Sequence, residues 1–299
     1  MITVLRPRLA TALVGFSAIL VAACGAGGGG TPGPQPTATP APTATGTPVA
    51  TPTPTSVPPT ASPAPVPATA QASAYFIRDG RVAPTHRSVN AAAPARDAVL
   101  ALIAGPSAVE SAAGLSSDVP SSTRLLGVSI SASVATVDLS REFTSGTTAP
   151  QARRVAQVVC TLTRFATIRS VTFHIEGAPL SSLGGVALSR PVTRAAVESW
   201  LPAILVESPA SGDSVRSPLR VDGSADTFEA VFRLRLVTAD GHMLFDIPVK
   251  ATSGTGTRGT FDVTVWFTAG GPATLRAYEI SMRDGRMINV SETPVRLLQ

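Results

Sequence analysis

The residue types that do chemistry are scarce in this chain and stand far apart. It has 3 histidines, His86, His174 and His242. None has HxH or HExxH spacing, the arrangement that lets two imidazoles share a zinc ion. His174 alternates with Thr172 and Glu176, which is the outward phase of a strand. Cys160 lies within the apolar stretch of a helix. A thiol there reads as a small buried hydrophobe rather than as a nucleophile served by His174. Lys250 is the only lysine and follows no S-x-x pattern, and no G-x-S-x-G is present. Gly27 to Gly30 precede neither a helix nor a lysine, so they are linker and not a phosphate loop. These residues predict no catalytic group, no metal site and no cofactor. Paired carboxylates meet only in space, and they leave one enzymatic alternative: a cell-wall-active hydrolase with a carboxylate site between two domains. For partner binding two features stand out. Arg153, Arg154, Arg164 and Arg169 lie on or just after one helix. Trp266 falls on the polar phase of its strand, where a tryptophan can anchor an interface.

The second cysteine, Cys24, sits in a different setting. Arg6 and Arg8 form a short positive region, Leu9 to Val21 an apolar run, and Val21-Ala22-Ala23 lead into Cys24. That order is a secretory signal peptide, too short and wrongly flanked for a spanning helix. The cysteine after small residues resembles the bacterial lipobox, whose thiol receives a diacylglycerol. Each buried methylene is worth about 0.8 kcal/mol, so two or three acyl chains on Cys24 would hold the protein on a membrane. The expected location is the outer face of the cell membrane.

Positive charge does not point to nucleic acid. The net charge is +5, and it falls to +3 once Arg6 and Arg8 are removed. Nearly all the cations are arginine, and they form no basic tract.

These groups are carried by a chain of distinct parts. Residues 1–23 read as the lipoprotein signal peptide. Residues 24–73 read as a disordered linker rich in Pro, Thr and Ala. Of the 27 prolines, 13 lie between Pro32 and Pro67, and no charged residue occurs between Arg8 and Arg78. Such a segment has nothing to bury against the entropy of ordering. As extended polyproline II it would reach on the order of 100 Å.

Residues 74–200 read as a small mixed-sheet α/β layer domain. Tyr75-Phe76-Ile77, Asp79-Gly80 and Val82 to Val89 predict a hairpin. Ala95, Ala98, Val99, Leu102 and Ile103 recur as a helical stripe that Gly105-Pro106 ends. Leu125 to Ser131 and Val134 to Leu139 predict a strand pair. Val155, Val158, Val159, Leu162 and Phe165 make a second helical stripe, with Pro150 in its first turn. Val171, Phe173 and Ile175 alternate as a strand. Residues 201–299 read as all β. Phe232, Leu234 and Leu236 alternate with Arg233 and Arg235. Met243 to Val249, Phe261 to Phe267, Leu275 to Met282 and Met287 to Leu297 follow between Asp-Gly turns. Roughly seven short strands in about 100 residues predict an immunoglobulin-like sandwich.

Both halves resemble a known pairing. Tyr75-Phe76-Ile77-Arg78-Asp79-Gly80, Gly105-Pro106 with Glu110, Gly114-Leu115, Pro120, Ala135 to Leu139, Thr161-Leu162-Thr163 with Phe165, and Ser189-Arg190-Pro191 resemble the GerM-type (GerMN) domain of spore germination and sporulation lipoproteins. Glu207-Ser208-Pro209, Ser217-Pro218, Gly223, Phe228-Glu229-Ala230, Gly254 to Phe261 and Asp284-Gly285 are similar to the immunoglobulin-like domain of bacterial spore germination. The resemblance implies a non-catalytic binding or assembly adaptor. Its expected partners are envelope proteins or cell-wall polymer, with self-association by analogy to sporulation relatives.

Overall fold

The structure is a computed structural model that describes residues 68–299. The signal peptide, Cys24 and nearly all of the expected linker lie outside the described residues. The first strand, β1 (Thr69–Arg78), begins five residues before the Ala74 boundary expected from composition. It pairs antiparallel with β2 (Arg81–Asn90) from Thr69↔Asn90 to Arg78↔Arg81. The connecting Asp79 and Gly80 both take positive φ, 50° and 74°. That is the two-residue turn whose twist matches a hairpin, and Asp-Gly adopts it at low cost.

Helix α1 (Pro94–Ala104) buries Ala95, Ala98, Val99 and Leu102, one stripe at helical spacing. It stops at Gly105, whose φ of 84° suits a residue without Cβ. A short helix, α2 (Ala108–Ala112), escaped the periodicity reading because five residues cannot show a period. It is held by a capping box between Ser107 and Glu110. Strands β3 (Leu125–Ser131) and β4 (Val134–Leu139) form an antiparallel pair. Helix α3 (Thr148–Thr163) then crosses to β5 (Ser170–Ile175), which lies parallel to β4. Three two-residue strands follow, β6 (Ala178–Pro179), β7 (Ser182–Leu183) and β8 (Val186–Ala187). The main sheet runs β3-β4-β5-β6. Phe143 and Phe173 stack at 6.1 Å in the core between that sheet, the hairpin and the helices.

After a 3-10 segment, Arg194–Trp200, the elements are strands apart from one three-residue 3-10 turn, Phe228–Ala230. The strands are β9 (Ile204–Ser208), β10 (Ser214–Val215), β11 (Leu219–Ala225), β12 (Val231–Thr238), β13 (Met243–Lys250), β14 (Gly259–Val265), β15 (Gly271–Ile280) and β16 (Met287–Leu297). Two sheets, β14-β11-β9 and β10-β16-β15-β12-β13, face each other as a sandwich. Phe232 of one sheet meets Phe261 of the other edge-on at 4.8 Å. The alternation read along β12 holds: Phe232, Leu234 and Leu236 are buried, while Arg233 and Arg235 both reach Asp246 on β13. The protein is thus an α+β domain followed by an all-β immunoglobulin-like sandwich. Among the described residues no helix is long and apolar enough to cross a membrane.

Strand β9 carries the join. Ile204 and Val206 belong to the sandwich core, whereas Leu205 belongs to the core of the first domain. Side chains alternate across a strand, so one strand supplies two cores from its two faces. Glu207 shares the face of Leu205 and is turned toward the first domain.

Candidate functional site

The seam between the domains is where charged side chains gather, and its geometry begins in β1. One edge of β1 pairs with β2. On its other edge, Tyr75 has no strand partner, and α3 supplies one from side chains. The Tyr75 N–H donates to Thr161 Oγ1 at 3.1 Å, and Gln157 Nε2 donates to the Tyr75 carbonyl at 3.0 Å. Both α3 residues are buried polar groups, and both are satisfied, as buried amides and hydroxyls must be. This bracing fixes the Tyr75 ring, whose hydroxyl donates to Glu207 of β9.

Arg194, at the start of the 3-10 segment, closes the cluster. Its guanidinium pairs with Glu207 and lies 5.3 Å from the centre of the Tyr75 ring. It also donates to Thr163 Oγ1 at 2.8 Å and to the Cys160 carbonyl at 3.0 Å. Burial pushes the Glu207 carboxyl up, but the Arg194 charge and the hydrogen bonds from Tyr75 and Arg194 outweigh it. The net effect holds Glu207 below the ordinary glutamate range. Burial and the neighbouring Glu207 charge push the Tyr75 phenol well above its ordinary value. Burial alone would lower Arg194, but Tyr75 and Glu207 raise it. The group therefore exists as a buried carboxylate, a guanidinium and a neutral phenol.

Further pairs extend this seam. Arg164, just past the end of α3, bonds Asp222 of β11 at 2.8 Å and reaches Glu207 at 3.6 Å. His86 Nδ1 meets Asp213 at 2.7 Å, and the same carboxylate oxygen accepts the Ala210 N–H. Arg258 pairs with Glu198 at 2.7 Å. Arg78 donates to the Glu292 carbonyl at 2.9 Å and to Ser211 Oγ at 3.2 Å. A cavity of about 440 Å³ opens beside Arg78, lined also by Asp79, Pro84, Leu205, Val290 and Glu292. The Glu292 carboxylate is engaged by Arg276 at 2.6 Å.

The four arginines singled out from the sequence do not form one patch. Arg154 is buried, at 3 % exposure, and is not a surface residue. Its guanidinium donates to the carbonyls of Phe143 and Ser145 and holds the loop after the 3-10 turn Arg141–Thr144. Helical spacing alone does not reveal that a loop folds back over α3 here. Arg153 forks onto Asp118 and lies 5.9 Å from the Trp200 ring centre, pinning two loops to the helix. Arg164 faces the second domain. Arg169 is exposed. Trp266, one residue past the end of β14, is 70 % exposed. Cys160 is a free, fully buried thiol that burial pushes up to about 12. His174 is half-buried on β5 and His242 is exposed at a turn. Among the described residues no three His, Cys, Asp or Glu side chains converge as metal ligands would. Sequence reasoning missed Tyr75, Arg194 and Glu207 as a unit. The one available signal was Glu207 itself, a carboxylate ending the apolar run Ile204-Leu205-Val206.

A family model described as sporulation and spore germination matches residues 68–181. A second, described as the immunoglobulin-like domain of bacterial spore germination, matches residues 203–286. None of the curated proteins matches. Among solved structures, the first GerMN domain of the sporulation protein GerM from Bacillus subtilis is 25% identical. The likeness covers 42% of this chain and 99% of that one, with a TM-score of 0.38. The tandem GerMN domains of the same protein are 20% identical over 60% of each chain, at a TM-score of 0.39. A putative lipoprotein from Clostridium perfringens is 21% identical over 44% of this chain and 93% of its own, at 0.32. From Ala68 onward, the chain carries a GerM-type domain of sporulation and spore germination followed by an immunoglobulin-like domain of bacterial spore germination, joined by the arginine-rich seam.

Proposed function

We propose that this protein is an exported envelope lipoprotein, held by an acylated Cys24 on the outer face of the cell membrane, that binds and assembles partners rather than turning over a substrate. The two family descriptions support a role in sporulation or spore germination. The observation that carries the adaptor reading is the seam. Its carboxylates Glu207 and Asp222 are engaged by Arg194 and Arg164. A carboxylate committed to an arginine is a poor general acid, because protonation would cost it the ion pair. The same pairs lock two domains into one body, a form suited to presenting surfaces at fixed spacing. Its partners in this reading are envelope proteins or cell-wall polymer, with self-association as a further mode.

The test is crosslinking in intact cells followed by purification of the tagged full-length chain. A reproducible envelope protein or wall fragment, recovered again on repetition, is the expected result. Failure to recover any consistent partner overturns the adaptor reading. The hydrolase alternative has its best site in the cavity that holds Asp79 and Glu292. Release of wall fragments by the purified chain, lost in Asp79→Asn, would install that reading instead.

A further inference from the structure

Large apolar side chains left exposed are not spread evenly over the described residues. Nearly half of them lie at one end of the second domain: Phe228, Ile280, Met282, Met287, Ile288 and Val290. The topology explains why they are together. Ile280 of β15 stands opposite Met287 of β16, and Ile288 opposite Glu279. Phe228 is brought alongside because its N–H donates to Glu279 Oε1 at 2.9 Å. Asn289 donates to the other oxygen of the same carboxylate, so the acid beneath the patch is turned inward and only 8 % exposed.

This end, the apex of the β15–β16 hairpin, is a tight turn closed by Ser281 N–H to Arg286 O at 2.8 Å and by Gly285 N–H to Ser281 O at 2.8 Å. Met282 stands at the tip, 89 % exposed. Arg283 and Arg286 flank it, and Lys250 stands opposite Val231 at the same end of the sheet. The exposed acids here are fewer, Asp284, 3.6 Å from Arg286, and Glu229; Glu279 is buried beneath them and Asp226 is half-buried. Exposed methionine and isoleucine at a hairpin turn, with exposed Arg283, Arg286 and Lys250 nearby, match a lipid interface, where apolar groups enter the acyl boundary and arginines stay with the headgroups.

We propose that this apex of the second domain docks on an anionic lipid surface. Phe228, Ile280, Met282, Met287 and Ile288 enter the acyl boundary, while Arg283, Arg286 and Lys250 meet headgroup phosphates. The docking does not depend on acylation of Cys24. An anchor would only raise the local concentration of the apex at the membrane.

The experiment uses the chain from position 24 onward with Cys24→Ser, so that neither the apolar N-terminal run nor an acyl group contributes. Cosedimentation is measured with vesicles of phosphatidylcholine alone and of phosphatidylcholine with phosphatidylglycerol. Binding to the anionic vesicles that weakens with added salt is expected. The Met282→Asp/Met287→Asp and Arg283→Glu/Arg286→Glu pairs should each lower it by about tenfold or more. Leu126→Asp, an exposed site on β3, should leave it unchanged, and circular dichroism should show every variant folded. Absence of binding at millimolar lipid overturns the proposal, as does binding indifferent to both pairs. A concentration-dependent dimer that Met282→Asp/Met287→Asp dissolves, without vesicle binding, would assign the apex to a second copy instead.

Discussion

Glu207 holds its charge at a position only 6 % exposed, and everything around it is arranged for that charge. Removing the charge while keeping the shape, as Glu207→Gln does, leaves the half-buried Arg194 guanidinium without its counter-ion. Breaking one partner of a buried pair costs about 3–5 kcal/mol, so the variant should unfold at markedly lower denaturant. The pH dependence has a defined sign. The folded carboxyl titrates lower than the unfolded one, so its contribution is fully present above the unfolded value. It is lost as pH falls from the ordinary glutamate value, near about 4.3, through the folded value. Wild-type stability should therefore decline across that acid window, and Glu207→Gln should flatten the decline. A Glu207→Gln midpoint equal to wild type at neutral pH would remove the seam's claim to matter. Arg154 shows the same physics on a smaller stage: burial lowers its affinity for the proton, and carbonyl acceptors rather than a carboxylate keep it in place.

At the scale of elements, β9 explains why two domains behave as one. Its register against β11 shifts between Asp222 and Gly223, so that Gly223 opposes Val206. A Cβ at Gly223 would collide with the Leu205 carbonyl oxygen and the Phe261 ring. Backbone cannot retreat as a side-chain tip can, and Phe261 is core of the sandwich. Gly223→Ala should therefore push β9 off β11 and withdraw Leu205 from the core of the first domain. The expected cost is about 2–5 kcal/mol, the range for losing a well-packed large apolar group. Because β9 serves both cores, near-ultraviolet and far-ultraviolet signals should fall in one shared thermal transition in both wild type and Gly223→Ala. A variant in which the sandwich melts alone, with the first domain intact, would show that the seam transmits little. The glycine after α1 does a different job: Gly105 ends the helix by its positive φ and meets no neighbour that a methyl group would strike.

At the scale of the whole molecule, the proposed topology puts all membrane attachment by covalent lipid at Cys24. In whole cells, Cys24→Ser should move the protein from the detergent phase to the aqueous phase while circular dichroism stays unchanged. The fold should be indifferent, because every residue of the three apolar clusters lies beyond Ala68. Retention of the variant in the detergent phase, with the vesicle-binding apex also disabled by Met282→Asp/Met287→Asp, would mean that another anchor exists.

What the sequence by itself determined was local. A strand with one face in a core shows its period, and β12 and β14 were legible for that reason. A helix with one buried stripe shows a 3.6-residue period, and α1 was legible for that reason; α3 showed its apolar stripe, but its burial on every side from Arg154 to Leu162 was not legible. Asp79-Gly80 and Gly105 name backbone conformations that other residues adopt at a cost. Tertiary structure decided the rest, because the deciding partners lie far along the chain. Strand β9 is buried on both faces, so its period vanished. Thr69 to Ser73 have the small uncharged composition of the linker. They become strand only because β2 offers them partners and Ala72 packs with Val89 and Ala98. Arg154, four residues before Val158, flanks the apolar stripe of α3, and residues 143–145 cover it. Glu207 finds Tyr75 132 residues away. Desolvation turns such a carboxylate from a surface group into the centre of a seam, and desolvation is a property of the folded surroundings, not of the residue.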